Sequence, residues 1–290
     1  MADRLTPIAP HVVHQAVLAA LDEDGAGDDL TTRALVSPEQ WGHGTFVAKD
    51  IGVVAGLPIA AAAMTALDET VSFDTLVPEG ERVAPGTELA EVEGPLSAML
   101  ASERVALNFL QRISGIATLT REYVDAIAGT GVRVLDTRKT APGLRPFDRY
   151  AVRAGGGYNH RFNLSTGILI KDNHIEGARQ AGVPDLVAVL ARSRAAGPHT
   201  MRIEIEVASV DQLKEAIEGG ADIILLDNMS AEQIRECVGI VAGRAQIEAS
   251  GGVTLENVRA IAEAGVDFIS VGRLTHSAPA LDISLELGDL

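Results

Sequence analysis

The chain has one cysteine in 290 residues. It can form neither an internal disulfide nor a thiolate metal cluster, and a reducing compartment, the cytoplasm, is the expected setting. Cys237 itself falls in a helical-looking stretch, AEQIRECVGIV, where it reads as a small packing residue. Long apolar runs are missing as well. None reaches the roughly 20 residues that span a bilayer, and the opening MADRLTPIAP lacks the charged-then-apolar pattern of a signal peptide. Positive charge is scarce, with 24 Lys and Arg against 40 Asp and Glu and a formal charge of −16. Such a chain is a poor partner for nucleic acid or an anionic membrane, since both attract basic surfaces. Walker A and dinucleotide fingerprints do not occur, which argues against an ATPase and a Rossmann dehydrogenase, and the seven histidines show no zinc-type spacing.

What is present is enough apolar side chain, 47% of the sequence, to exclude disorder; a fold of this length buries about 75% of its unfolded surface. The first third reads as a small α+β domain. Residues His11 to Leu21 suit an amphipathic helix, DEDGAGDD a loop, and LTTRAL a short helix capped by Thr31 or Thr32. Strand-like runs GTFVAKD, GVVAG and TVSFDTLV follow. ERVAPGTELAEVEG has the tight turns of a biotinyl or lipoyl carrier, but no lysine lies between Lys49 and Lys139 to carry the group. A long helical pattern from Ser102 to Ile127, broken at Gly115, leads into the second part.

From Val132 onward strands and helices alternate, which implies parallel strands joined by crossover helices. Six apolar runs end in DTRK, KDN, EIEV, LDN, ASGG and SVGR. Polar or Gly-rich residues delivered at the same end of many strands favour a barrel over a doubly wound sheet. About 160 residues fall short of the ~250 of eight full βα units. The expected fold is therefore an open or incomplete TIM-like α/β barrel with an N-terminal α/β sandwich domain. The expected boundaries are 1–113 for the sandwich, 114–276 for the barrel, and 277–290 packing with the sandwich.

The acidic average hides one basic island. Gly131 to His174 holds eight Lys and Arg against three Asp and Glu. Arg138, Lys139, Arg145, Arg149, Arg153, Arg161 and Lys171, with His160 and His174, suit a small polyanion, because guanidinium forks match carboxylates and ammonium groups serve phosphate. The plain alternative is a solvated basic face. Against it, these charges are expected at strand ends beside the Gly and Pro loops APG and AGGG, not along one helix. Lys171 also stands where a barrel aldolase keeps its Schiff-base lysine, although the adjacent Asp172 works against the depressed pKa that this chemistry needs.

Glu204 and Glu206 lie two apart in an apolar strand and so face one side, and Asp227 ends the next such run. Buried carboxylates need cations or ligand. They form internal salt bridges, or they hold sugar hydroxyls or Mg²⁺, or they stabilise positive charge at a sugar carbon. Ser250-Gly251-Gly252 and Ser270-Val271-Gly272 end the last two strands, where bare backbone N–H groups can approach a phosphate.

Together DLTT, AGLP, ERVALNFLQRISGIAT, DTRKTAPGLR, GGGYNHRFNLSTGILIKDNHI, EIEV, LLDN, EASGG and SVGRLTHSAP make the chain resemble the quinolinate phosphoribosyltransferases, the carboxylating nicotinate-nucleotide pyrophosphorylases, along nearly its whole length. The resemblance implies phosphoribosyl transfer from PRPP to quinolinate with decarboxylation, using Mg²⁺ and no organic cofactor. It also implies a homodimer in which Arg104 reaches the neighbour's site, with higher assembly left open. Arg104, Thr137, Arg138, His160, Arg161 and Lys171 would then serve quinolinate, and Lys139 a phosphate. Glu206 and Asp227 would meet ribose and metal. Ser250, Gly251, Gly252, Ser270, Val271 and Gly272 would cradle the 5′-phosphate, with His276 nearby. The catalytic set so implied is Lys139, Lys171, Glu206 and Asp227. Two alternatives keep the scaffold and change the role: the related protein of molybdenum transport operons with another acceptor, and a non-catalytic sensor of a phosphorylated metabolite.

Overall fold

The computed structural model describes residues 5–288; the opening MADR and the last two residues of the expected 277–290 segment lie outside the described residues. The chain forms two compact units. One takes the chain up to Arg121, Thr140–Gly156, and the chain from Leu274 on; the other takes Glu122–Lys139 and Gly157–Arg273. In this division Thr140–Gly156 lies with the first unit, as does the described part of the expected 277–290 segment.

In the first unit, α1 (Pro10–Asp24) ends at Gly25, whose left-handed φ of 70° stops the helix. α2 (Leu30–Leu35) is capped by Asp29, whose carboxylate accepts the amides of Thr31 at 3.0 Å and Thr32 at 3.1 Å. Neither threonine is the cap: both sit inside the first turn, and Asp is the better acceptor at the capping position. The strand-like runs become β1 (Trp41–Ala48), β2 (Gly52–Val53) and, beyond α3 (Leu57–Thr65), β3 (Ser72–Thr75). β4 (Arg82–Val83) and β5 (Glu88–Pro95) follow, then α4 (Leu96–Ala126).

Gly115 does not break α4, which runs on through 31 residues. It is glycine for a different reason. The backbone of Pro279 and Ala280 crosses the helix so closely that a Cβ at residue 115 would lie 2.0 Å from the Pro279 carbonyl oxygen.

The alternating half comprises β6 (Arg133–Leu135), α5 (Arg145–Ala154), β7 (Ile168–Ile170), α6 (Asp172–Gln180), α7 (Leu186–Ala196), β8 (Ile203–Val207) and α8 (Val210–Glu218). It continues with β9 (Ile223–Asp227), α9 (Ala231–Val241), β10 (Gln246–Ser250), α10 (Val258–Glu263), β11 (Phe268–Ser270) and α11 (Arg273–His276). Cys237 is buried on α9, as packing residues are. β12 (Ile283–Leu287) returns to the first unit's antiparallel sheet, ordered β12-β1-β5-β3.

Thr140–Gly156 joins the first unit through the buried face of α5. Phe147 stacks at a tilt on Phe109 with centroids 5.4 Å apart, and Asp148 takes the Arg112 guanidinium at 2.9 Å. The Tyr150 hydroxyl donates to Glu79 at 2.6 Å.

The second unit is built on a six-stranded sheet, β6-β11-β10-β9-β8-β7, with every pairing parallel. Tyr158 extends it by bridging Leu135 on the outer edge of β6. Among the described residues no ladder joins Tyr158 to β7, so the barrel is open, as the chain length implied. No described helix is long and apolar enough to cross a membrane.

Replacing Gly115 with Ala forces a methyl group into backbone that cannot rotate away. The expected cost is about 3 kcal/mol, at the upper end of overpacking effects, read as a lower denaturant midpoint. An unchanged midpoint would contradict the crossing described here.

Candidate active site

All six parallel strands of the second unit deliver their carboxyl ends to one rim, and the expected residues of this unit are distributed along it. After β6, Thr137 accepts the Lys139 amide at 3.1 Å in a tight turn that leaves Arg138 and Lys139 exposed. Lys171 follows β7 and pairs through its Nζ with the Glu206 carboxylate of β8. An ammonium ion matched by a carboxylate is the reverse of the cation-crowded lysine that imine chemistry needs. The Lys171 amide donates to His174 Nδ1 at 3.0 Å, which assigns His174 to the start of α6.

Asp227 ends β9 and accepts a 2.7 Å hydrogen bond from Asn228 Nδ2. Asn228 has a left-handed φ of 54°, and its amide donates to Ser250 O at 2.9 Å. A Cβ on Gly251 would stand 2.3 Å from Asn228 Oδ1, and both Gly251 and Gly252 have positive φ. Close packing requires glycine at 251, and the positive φ favours it at 252; together they leave a surface of bare main chain at the end of β10. The last expected trio divides. Ser270 is buried with its hydroxyl on Glu248, and the Val271 amide is taken by Leu135 O at 3.0 Å. Gly272 lies half-buried beyond them.

Two expected residues belong to the first unit: Arg104, exposed on α4, and His276, exposed at the end of α11 with Nδ1 2.6 Å from Ser277 Oγ. The basic island needs a correction. Arg145, Arg149 and Arg153 do not follow a strand; they lie four apart on α5 in the first unit. Pro146 in the first turn favours the helix there, a signal the sequence offered but the strand-end pattern obscured.

The sequence reading missed the buried groups under the rim. Asp136, fully buried, accepts Asn159 Nδ2 at 2.6 Å and the His160 amide at 2.7 Å, and so fixes the edge segment. His160 Nε2 stands 3.1 Å from Glu204 Oε2 and 3.7 Å from Glu248 Oε1. Glu204 was noted from sequence; Glu248 was not, although it shares an apolar strand with Ser250. A cavity of about 470 Å³ reaches this cluster from the strands' amino ends, past Arg133, Ile168, Ile223 and Phe268. His160 and Arg161 line it, whereas Lys171, Glu206 and Asp227 do not.

The electrostatics follow from burial. Burial, reinforced by the charge of Glu204, pushes Glu248 up to about 7. Burial works to lower His160, but its hydrogen bond to Glu204 and the charges of Glu248, Glu204 and Asp136 raise it overall. Arg161 is lowered, first by burial and then by the charge of Arg138, with the charge of Glu204 acting against both. Two guanidinium groups that oppose each other in this way are complementary to an anion placed between them.

Comparison with known proteins matches two family models: the quinolinate phosphoribosyl transferase N-terminal domain over residues 29–114 and the C-terminal domain over 116–286. A probable carboxylating nicotinate-nucleotide pyrophosphorylase of Bacillus subtilis is 43% identical across 92% of this chain and 90% of its own length. The decarboxylating quinolinate phosphoribosyltransferase 1b of Nicotiana tabacum is 38% identical across 92% and 80%. The solved NadC of Streptococcus pyogenes superposes with a TM-score of 0.93 at 41% identity, over 98% of this chain and 99% of that one.

The raised groups fix the sign of a pH effect. A carboxyl that titrates near 7 when folded and near 4.5 otherwise binds more protons in the folded state between those values, so stability falls as pH rises through that window. The raised His160 acts in the same direction, its contribution being lost as pH rises above its ordinary 6.5. Glu248→Gln keeps the shape and removes the charge. Its stability relative to the native chain should therefore rise between pH 5 and pH 8 in denaturant titrations, and a difference that stays constant would contradict the assignment.

Proposed function

The chain belongs to the quinolinate phosphoribosyltransferase family, and from that premise we propose how its rim residues share the work. The enzyme transfers the phosphoribosyl group of PRPP to the ring nitrogen of quinolinate. Pyrophosphate leaves, one carboxylate is lost as CO₂, and nicotinate mononucleotide results, a step of NAD biosynthesis.

The observation that carries the site assignment is the opposed pair Arg138 and Arg161, next to a rim that also bears Lys139 and Lys171. A dicarboxylate and a diphosphate-bearing sugar need this local excess of cations in an otherwise acidic chain. Arg138, Arg161 and Lys171 hold the quinolinate carboxylates, with Thr137 beside them and Arg104 supplied by a second copy in a homodimer. His160 belongs to the same carboxylate set. Lys139 meets phosphate, and the bare main chain from Ser250 to Gly252, with Gly272, receives the 5′-phosphate. Glu206 and Asp227 face the ribose, where their charge stabilises the positive charge that grows on the anomeric carbon as pyrophosphate departs.

The same two carboxylates fit Mg²⁺, a hard cation that takes oxygen ligands and is commonly bound through one or two carboxylates plus substrate phosphates. Mg²⁺ bound with PRPP supplies neutralisation of the leaving diphosphate. The Lys171–Glu206 pair holds both side chains in place until substrate arrives. Once ribosylated, the ring nitrogen is cationic and accepts the electron pair released when CO₂ leaves. The cytoplasm, reducing and supplied with PRPP, is the proposed compartment.

Incubation with quinolinate, PRPP and Mg²⁺ should yield nicotinate mononucleotide and CO₂, and the absence of both would overturn the reading. Arg138→Ala should weaken quinolinate binding about tenfold to a hundredfold, the range of a lost charge-assisted hydrogen bond, with a much smaller effect on PRPP. Equal losses for both ligands in titration calorimetry would remove Arg138 from the carboxylate site.

A further inference from the structure

The carboxylate of Asp136 divides its two oxygens between two donors of one segment. Oδ1 accepts the His160 amide at 2.7 Å, and Oδ2 accepts Asn159 Nδ2 at 2.6 Å. The residue is fully buried, and a buried carboxylate is costly unless it is hydrogen-bonded. Main-chain bonds register the same two stretches. The Tyr158 amide donates to Val134 O at 2.8 Å, and the Asp136 amide donates to Tyr158 O at 3.1 Å. The end of β6 and the segment 158–161 are therefore joined at one acid.

Both arginines of the opposed pair hang on short tethers from that acid. Arg138 follows Asp136 by two residues and Arg161 follows His160 by one, and a chain reaches at most about 3.6 Å per residue. Burial and then the charge of Arg138 lower Arg161, so the two guanidinium groups are close enough to repel each other. At its far end the Arg161 guanidinium donates to Gly167 O at 2.8 Å. A dicarboxylate is matched only if the two cations keep a fixed spacing, and their repulsion works to widen it. Two donors that converge on one side chain need two adjacent acceptors, which a carboxylate has. A side-chain amide offers one acceptor and one NH₂ group, so an asparagine in this place would turn a donor toward a donor.

We infer that Asp136 is a positioning residue. Through Asn159 and the His160 amide it sets the distance between Arg138 and Arg161, and with it the affinity for the dicarboxylate acceptor, without touching that acceptor. The inference rests on the acceptor assignment above and deepens it. It uses the main chain of His160 and leaves the ring to the carboxylate set.

Steady-state kinetics of the full chain, with quinolinate and PRPP varied in turn, test it. Asp136→Asn should raise KM for quinolinate about tenfold, the effect of one lost hydrogen bond to a charged group. KM for PRPP and kcat should stay within about twofold, since what is lost is binding common to the ground state and the transition state. Exchanging the pair, Asp136→Asn together with Asn159→Asp, sets an N–H of residue 136 against a carboxylate at 159 and keeps an acceptor for the His160 amide. The coupling between neighbours should then return the quinolinate KM to within about threefold of the native value. Asn159→Ala removes one donor and leaves the His160 bond, so it should give the same selective rise, and it decides the matter where Asp136→Asn does not fold. Losses shared equally by both substrates, or an exchanged chain no better than Asp136→Asn, would overturn the inference. A native chain that forms no product overturns the acceptor assignment beneath it, whereas product from the native chain with unselective variants overturns the role of Asp136 alone.

Discussion

Charge compensation within a parallel barrel is the constraint on which the site depends. Parallel pairing sends the carboxyl end of every strand to the same rim, so charged residues that end apolar strands must meet there. The rim residues answer one another: Lys171 holds Glu206, and Asn228 steadies Asp227. One layer deeper, where water is scarce, Glu204 and Glu248 face His160, and Ser270 gives Glu248 a hydrogen bond. Arg138 and Arg161 are the exception. Their like charges lie close enough for Arg138 to lower Arg161, and an anionic substrate placed between them relieves that repulsion.

Burial separates the two kinds of carboxylate in the protein. Glu79, raised by burial, is fully engaged by the amides of Gly56 and Leu57 and by the Tyr150 hydroxyl. Its role is to tie segments of the first unit together. Glu248 has no such set of donors, and its charge state is sensitive to its neighbours. Both are buried acids in an apolar sequence context, and only the donors that the fold brings to them tell a structural acid from an electrostatically active one.

Much of this was legible in the sequence. The six apolar runs with polar ends correspond to the six parallel strands, and the strand-end motifs mark the rim. What was not legible depends on contacts distant in sequence. Gly115 looks like a helix breaker, but its meaning lies in a backbone crossing from residues 279–280. The arginines of α5 looked like rim charges because they adjoin DTRKTAPG, whereas the packing of Phe147 and Asp148 places that helix in the other unit. Glu248 carries no local signal of its partner, since His160 reaches it across the concave face of the sheet. Asp29 outranked the threonines as a cap for a local reason, acceptor strength, that the sequence did contain.

The most direct test of the account is a crystal structure of the enzyme with quinolinate bound. The account predicts the two carboxylates against Arg138 and Arg161. Quinolinate bound away from both arginines would contradict it.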